Sequence, residues 1–355
     1  MARFKLYSET ENVLEAAVRR IRHIFDTFDS VVVLFSGGKD SLVVLHLVRM
    51  VAAEYGIDRV KVCFLDEELI PDMVVNFVDH YRQLPWVDMR WYAVPLASTR
   101  LVLGETLPYV QWDPTREWVR QRPAWALTLP EGDTRTLSQY QMVDFYLQGS
   151  RGKTCLLTGI RASESILRYN AVAGKLNDPH LASTGSHIPP GRAMYGRPIY
   201  DWSEDDVFKF FYDHGIDYCP VYDARLTAGT YLRVATPLGS EASKSLGVLR
   251  EVHPEMLDRL IRVFPGTDLQ MRYWHDIDRS AVFDKYEPRG LDGVRDWIND
   301  TLSGEAQTKA LKVFEAILRY AKQRPTGYPT RYVLREFVNG QWKRGRVLPQ
   351  VVSSK

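Results

Sequence analysis

The stretch VVVLFSGGKDS at residues 31–41 decides the fold. Its first five residues are apolar and largely β-branched, which suits a strand buried on both faces, and the Ser36–Ser41 loop follows directly. A helical pattern then runs from Leu42 to Tyr55. Such a junction brings free backbone N–H groups and the positive end of the helix dipole to one point, which favours phosphate. Gly37 and Gly38 allow a close approach, and the spacing is neither GxxxxGK(S/T) nor GxGxxG, so we expect a different phosphate loop.

The alternation of strand and helix continues outward from this loop. An amphipathic opening helix is predicted over residues 8–28, with Ser8 and Glu11 at capping-box spacing. Further elements are predicted as strands at Val60–Leu65, Met89–Val94 and Thr154–Thr158, and as a helix at Pro71–Leu84. The pattern predicts an α/β fold built on a doubly wound, mainly parallel sheet.

The C-terminal part of the sequence has a different pattern. Helical periodicity appears around residues 241–263, 291–301 and 305–322. Near the end, two short runs flank Asn339-Gly340, which is a two-residue hairpin signal: Arg331–Phe337 and Gln341–Leu348. We therefore predict a nucleotide-binding domain over residues 1–235, interrupted by an insertion at 104–136, and a helical subdomain over 236–355 that ends in a β-hairpin.

Composition restricts the possible classes of protein. The net charge of +2 is too small to indicate nucleic-acid binding by itself. Cys63, Cys155 and Cys219 stand far apart without a CxxC pair, which argues against a disulfide framework, an all-cysteine zinc site and a cysteine-held iron–sulfur cluster. Since no apolar run is long enough for a membrane span and no secretion signal is visible, we expect a soluble cytoplasmic protein.

Four segments together carry a family resemblance. SGGKDS resembles the SGGxDS loop of the PP-loop ATP pyrophosphatases and of the phosphoadenosine phosphosulfate (PAPS) reductases, which share the adenine nucleotide alpha hydrolase-like fold. FLDEE at 64–68, GIRASESILR at 159–168 and GRPIYDWSEDDVFKFF at 196–211 resemble PAPS reductase segments and occur in the same order. The combination is most similar to the plasmid- and phage-borne PAPS reductase-like proteins, which also have a Trp/Arg-rich insertion and an extended C-terminal half.

Several charged residues are candidates for the site. Arg161 follows a predicted strand, and Arg168 lies seven residues later on nearly the same helical face, so both suit a phosphate tail. An ion pair between Arg161 and Glu164 is the alternative. The resemblance implies that Asp66 lines the adenine and ribose pocket. The alternative is that Asp66 is an acidic residue at a strand end with its side chain in solvent. The candidates for nucleotide binding are Ser36, Gly37, Gly38, Asp40, Ser41, Asp66, Gly159, Arg161 and Arg168, and those for catalysis are Lys39, Asp40 and Arg161, with Asp40 as the Mg²⁺ contact.

The reaction stays open at this stage. PAPS reductases that work through a thiol have a C-terminal Cys-Gly-x-His motif, and this chain has no cysteine after Cys219. One hypothesis is therefore an enzyme that holds ATP with Mg²⁺ and cleaves it between the α- and β-phosphates to activate an acceptor. A second enzyme hypothesis uses PAPS in a transferase or reductase reaction. The alternative is a catalytically inactive nucleotide-sensing regulator or nucleic-acid-associated protein.

Two further segments have chemistry that suits a partner. The insertion at 104–136 combines tryptophans and arginines, which suits either an aromatic lid packed over the fold or stacking on single-stranded nucleic acid: Trp112, Trp118, Trp125, Arg116, Arg120, Arg122 and Arg135. The C-terminus is basic, through Lys343, Arg344, Arg346 and Lys355, and is either solvated or a second nucleic-acid or protein contact. Asp201 and Trp202 are expected to be structural, ahead of Ser203 as a helix N-cap with Asp206 at the matching third position.

Overall fold

The computed structural model describes residues 11–103, 105–172, 180–185, 188–223, 236–238, 246–273, 280–323 and 325–350. Its contacts divide the chain into two compact units. The first unit consists of Met1–Thr99 with Pro108–Pro265, and the second consists of Arg100–Leu107 with Gly266–Lys355. The domain boundary expected at residue 235 stays a prediction.

A six-stranded sheet forms the centre of the first unit, in the order β3-β2-β1-β6-β8-β7. Its neighbouring strands are parallel except for β7, which runs antiparallel to β8. The strands among the described residues are β1 Ser30–Leu34, β2 Val60–Leu65, β3 Val87–Tyr92, β4 Leu96–Val102, β5 Glu105–Gln111, β6 Thr154–Leu157, β7 Leu181–Ser183 and β8 Ala193–Gly196, of which β4 and β5 pair in a separate two-stranded sheet. The predicted mainly parallel α/β fold is confirmed.

Helices cover both faces of this sheet because its central strands are apolar on both sides. Val33 of β1 belongs to the larger core cluster with helices α1, α2, α3 and α6, whereas its neighbour Val32 belongs to a second cluster with α4. The helices described in this unit are α1 Val13–Thr27, α2 Lys39–Glu54, α3 Asp72–Arg82, α4 Met142–Tyr146, α5 Ile166–Val172, α6 Glu204–His214, α7 Leu246–Val252 and α8 Pro254–Val263. The sheet is therefore doubly wound, as expected.

Two helix caps can be compared with the sequence. The capping box of α1 is formed by Asn12 and Glu15. The predicted pair included Ser8, which lies outside the described residues. The second cap, formed by Ser203 and Asp206 at the start of α6, is confirmed.

The second unit is helical and has its own core. Its helices are α9 Gly266–Tyr273, α10 Ser280–Tyr286, α11 Gly290–Thr301, α12 Gly304–Gln323 and α13 Thr330–Val338. Large apolar side chains from α11, α12 and α13 pack together, among them Trp297, Ile298, Phe314 and Phe337. A helical C-terminal region is thereby confirmed. None of the described helices in either unit is both long and apolar enough to cross a membrane.

The predicted terminal β-hairpin is wrong. The first proposed strand is helix α13, in which Val333, Leu334 and Phe337 are buried. Their spacing places them on one face of a helix, whereas a strand would direct Val333 and Leu334 to opposite sides. Gly340, at φ +74°, follows the end of this helix, and a short 3₁₀ helix replaces the second proposed strand. Asn-Gly here terminates a helix, which is a common use of glycine.

Candidate functional site

The phosphate loop lies where the strand order of the sheet reverses. From β1 the chain proceeds to β2 on one side, and from β6 it proceeds towards β8 on the other. Loops that follow neighbouring strands at such a reversal border the crevice in which α/β proteins bind ligands. A Cβ added at Gly159 after β6 would lie 2.5 Å from the carbonyl carbon of Asp40 and 2.6 Å from the backbone nitrogen of Ser41. The two loops are therefore in direct backbone contact, which only glycine permits.

Hydrogen bonds within the Ser36–Ser41 loop fix its shape. The Ser41 hydroxyl donates to the carbonyl of Gly38 at 2.9 Å and accepts from the backbone N–H of Ser36 at 3.1 Å. Gly37 has φ +75°, and a Cβ there would lie 2.8 Å from Cγ2 of Val78. Helix α2 begins immediately after Gly38 without a side-chain cap from that residue. The loop is thus held in shape, and at the start of α2 the Ser36 hydroxyl accepts from the backbone N–H of Gly38 at 3.3 Å.

The three residues expected to act on the nucleotide lie together. Arg161 Nε donates to Asp40 Oδ1 at 2.7 Å, although the two residues are 121 positions apart. Lys39 Nζ lies 3.8 Å from Asp40 Oδ2 and 3.1 Å from Glu204 Oε1. Two cations therefore face two carboxylates at the start of α2, and these four side chains carry no net charge.

Sequence reasoning missed two members of this group. Glu204 lies in the first turn of α6, a segment that was interpreted only as a helix entry. Tyr222 accepts a hydrogen bond from the backbone N–H of Lys39 at 2.9 Å, and Lys39 Nζ lies 5.2 Å from the centre of its ring. Their contacts depend on how α6 and the segment after it pack against α2. The local sequence pattern contains no signal for either contact.

Arg168 lies in a different environment from Arg161. A 3₁₀ helix at Ala162–Glu164 is followed by extended backbone at Ser165, so the helical face expected to carry both arginines is interrupted. Arg168 pairs with Glu164, and its side chain is 42% exposed, whereas that of Arg161 is 5% exposed. The carboxylate of Glu164 also accepts from the backbone N–H of Arg161 at 3.1 Å. Of the two arginines, the structure brings Arg161 to the phosphate loop.

The matched segment of the chain includes both loops and the whole six-stranded sheet. Residues 30–234 match the model of the phosphoadenosine phosphosulfate reductase domain. The chain belongs to this family. It is also 32% identical over 262 residues to the uncharacterised protein YbdN of Escherichia coli K12. That match covers 69% of this chain and 63% of YbdN, which is less than two thirds of the relative's length.

Solved structures with detectable similarity have low sequence identity. The Candida glabrata FMN adenylyltransferase in complex with FAD and pyrophosphate is 14% identical with a TM-score of 0.40, and the match covers 65% of this chain and 68% of that one. The Candida auris PAPS reductase is 13% identical with a TM-score of 0.34, over 62% of this chain and 88% of that one. The U34-tRNA thiolase NcsA of Methanococcus maripaludis is 16% identical with a TM-score of 0.32, over 73% and 79%.

In this member of the PAPS reductase family, Asp66 at the end of β2 is fully buried. Its carboxylate accepts from Trp91 Nε1 at 2.7 Å and pairs with Arg120 of the Trp/Arg-rich segment. Burial raises the pKa of Asp66 above its ordinary value, and the neighbouring Arg120 partly opposes that effect. The backbone carbonyl of Asp66 accepts from Trp112 Nε1 at 2.6 Å. A contact of Asp66 with the nucleotide stays a prediction, and its side chain has these partners already.

Glu68 anchors the same segment more strongly. Its carboxylate accepts two hydrogen bonds from the guanidinium of Arg116, at 2.7 and 2.6 Å, and one from each of the backbone N–H groups of Trp112 and Val119. Trp112 is buried, whereas Trp125 is half exposed with Arg82 above its ring. Trp112 is therefore packed into the fold, with its ring against that of Trp118. Nucleic-acid contact through the insertion or the basic C-terminus stays a prediction.

The three cysteines lie in the interior. Cys63 is in β2, Cys155 is in β6, and Cys219 precedes the segment that contains Tyr222. Burial raises the pKa of both Cys63 and Cys155 to about 12. At neutral pH almost none of either thiol is the nucleophilic thiolate. Both residues therefore act as small core hydrophobes.

Proposed function

We propose that this chain binds the phosphates of an adenine nucleotide in the Ser36–Ser41 loop. The observation that carries the proposal is the position of that loop: a fixed glycine turn at the start of α2, at the reversal of strand order, with Lys39 and Arg161 beside it. Backbone N–H groups, a helix dipole and two cations at one point favour a phosphate chain. Membership of the PAPS reductase domain family supports the same assignment.

The reaction that suits this site best is cleavage of ATP between its α- and β-phosphates. An acceptor nucleophile would attack the α-phosphorus, and the bond to the bridging oxygen would break. Pyrophosphate would leave with that electron pair, and the acceptor would carry the adenylyl group. A thiol attack on PAPS is less well supported, because Cys63, Cys155 and Cys219 are all buried and the pKa of the first two is raised to about 12.

Each charged residue then has a distinct role. The loop N–H groups and Lys39 would stabilise the charge of the departing pyrophosphate, and Arg161 would face the α-phosphate. Asp40 supplies one carboxylate, and Mg²⁺ is commonly held by one or two carboxylates together with phosphate oxygens. Within the described residues no cluster of three His, Cys, Asp or Glu side chains forms a metal site. The donor set therefore fits Mg²⁺ only in company with the nucleotide, where the ion would neutralise phosphate charge.

Calorimetric titration of ATP, AMP, PAPS and adenosine phosphosulfate into wild type and Gly38→Val tests the binding step. A Cβ at Gly38 would lie 3.2 Å from both the Ser36 hydroxyl and the Tyr222 hydroxyl, so a valine there should disturb the two hydrogen bonds that these hydroxyls accept from the loop backbone. We expect binding to be lost in a variant that still unfolds cooperatively. Undiminished affinity in that variant would refute the assignment of the loop.

A product assay separates the enzyme from the alternative function. ³¹P NMR of wild type with ATP, Mg²⁺ and candidate acceptors should show AMP or an adenylylated product together with pyrophosphate. Formation of ADP and phosphate instead would overturn the proposed bond cleavage. Tight ATP binding with no turnover for any acceptor would favour the nucleotide-sensing regulator.

A further inference from the structure

The ammonium group of Lys39 is neutralised from a distant part of the chain. Its side chain is only 5% exposed, and its ion pair with Glu204 at 3.1 Å is shorter than its approach to Asp40 at 3.8 Å. Glu204 is 47% exposed, so this carboxylate is readily rehydrated when the pair opens, whereas the lysine remains in the site. In this pair the lysine ammonium is fixed in the site, whereas the Glu204 carboxylate can be replaced by another anion.

The position of Glu204 is set by firm local structure. The Ser203 hydroxyl accepts from the backbone N–H of Asp206 at 3.1 Å, and the Asp206 carboxylate accepts from the backbone N–H of Ser203 at 2.7 Å. Just before this cap, Asp201 forms a buried two-bond ion pair with Arg20, with both distances 2.8 Å. The first turn of α6 is thus held in place, and the carboxylate of Glu204 is directed to Lys39 at the start of α2.

Tyr222 holds the other side of Lys39. Its hydroxyl accepts from the Lys39 backbone N–H, its ring lies below the ammonium group, and only 2% of the residue is exposed. Because the tyrosine belongs to the main core cluster, Lys39 has little freedom to move away from the loop. An incoming phosphate therefore meets a lysine whose charge is already balanced.

We propose that Glu204 is a specificity-determining residue, namely the counter-charge that a phosphate must displace from Lys39. The proposal rests on the proposed function and adds to it a cause of selectivity among ligands. A neutral adenosine gains nothing from displacing Glu204, whereas a polyphosphate exchanges one anionic partner of Lys39 for another. The penalty imposed by Glu204 is therefore specific to ligands whose phosphates reach Lys39.

Glu204→Gln tests this directly, and the chain offers a matched control in Asp205→Asn. Asp205 is the next residue of the same exposed turn and carries the same charge. We expect Glu204→Gln to bind ATP about 2- to 5-fold more tightly than wild type, as for loss of a partly exposed competing charge. Adenosine affinity should not change, and Asp205→Asn should resemble wild type with every ligand.

The titrations are run with EDTA at low and at physiological ionic strength, with adenosine, AMP and ATP as probes. The increase in ATP affinity caused by Glu204→Gln should become smaller as salt is added, because it arises from competition between charges. Equal effects of the two substitutions, an equal gain for adenosine, or weaker ATP binding by Glu204→Gln would each overturn the proposal. If wild type binds no nucleotide either in EDTA or in a parallel titration with Mg²⁺, the proposed function fails instead. Glu204→Asp, which retracts the charge by one methylene, should give an intermediate gain.

Discussion

Glu68→Gln should destabilise the protein by about 3 kcal/mol, because the glutamate is 0% exposed and each of its oxygens accepts two hydrogen bonds. One oxygen faces Arg116 and Val119, and the other faces Arg116 and Trp112. A glutamine amide has only one oxygen. In either orientation of the amide, its NH₂ group therefore faces one of these two pairs of N–H donors. Two hydrogen bonds are then lost and Arg116 is left without its counter-charge, and the 20% exposure of that arginine limits the cost.

Urea denaturation followed by tryptophan fluorescence measures this effect. In a thermal scan, a loss of about 3 kcal/mol corresponds to a fall in Tm of roughly 4 to 6 °C in a protein of this size. The control is Glu117→Gln, since the pair between Glu117 and Arg262 has side chains that are 63% and 59% exposed and should contribute almost nothing. In the double variant with Arg116→Met, much of the loss should be recovered, because no unpaired charge remains. Equal stabilities of Glu68→Gln and Glu117→Gln would refute the view that this buried pair anchors the insertion.

Three further outcomes follow from the structure. Arg161→Gln should weaken ATP binding about 10-fold or more, whereas Arg168→Gln should change it less than twofold, and equal losses in titrations would contradict their different surroundings. Burial lowers the pKa of His46 to about 4, so its contribution to stability is present above pH 6.5 and is lost as the pH falls towards 4. Between those pH values, the free energy of unfolding measured with urea should fall by about 2 kcal/mol less in His46→Gln than in wild type. In the control His80→Gln, whose histidine is exposed, this free energy should fall as much as in wild type. Ellman's reagent should react with the two strand cysteines only on unfolding, and rapid native labelling would contradict their burial.

Elements with a strong local pattern were predictable from the sequence. The bounds of β2 are those expected, because its apolar run is limited by clear breaks on both sides. Helix α2 begins at Lys39, three residues earlier than its apolar pattern, because its first turn is formed by the polar residues of the loop. The family resemblance located the phosphate loop and Gly159, which the structure brings into contact.

Features that depend on packing were not predictable. Asn339-Gly340 is compatible with either a hairpin or a helix end. The preceding segment is a helix because that conformation buries Phe337 in the C-terminal core together with Val333 and Leu334. The extended backbone at Ser165, which separates Arg168 from Arg161, has no glycine or proline to signal it. The contact of Glu204 with Lys39 joins segments distant in the chain. Periodicity and motif spacing contain no information on such a pairing.

The position of β1 in the middle of the sheet has a consequence for synthesis on the ribosome. One edge of β1 pairs with β2, which is the next strand in the chain. The other edge pairs with β6, where Val31 lies opposite Cys155, a residue that is synthesised much later. At a translation rate of about 10 residues per second, the apolar edge of β1 waits about 12 seconds for its second neighbour. An open strand edge presents unpaired backbone N–H and C=O groups with which another chain can pair. The nascent protein is therefore most exposed to such pairing during this interval, before any nucleotide site exists.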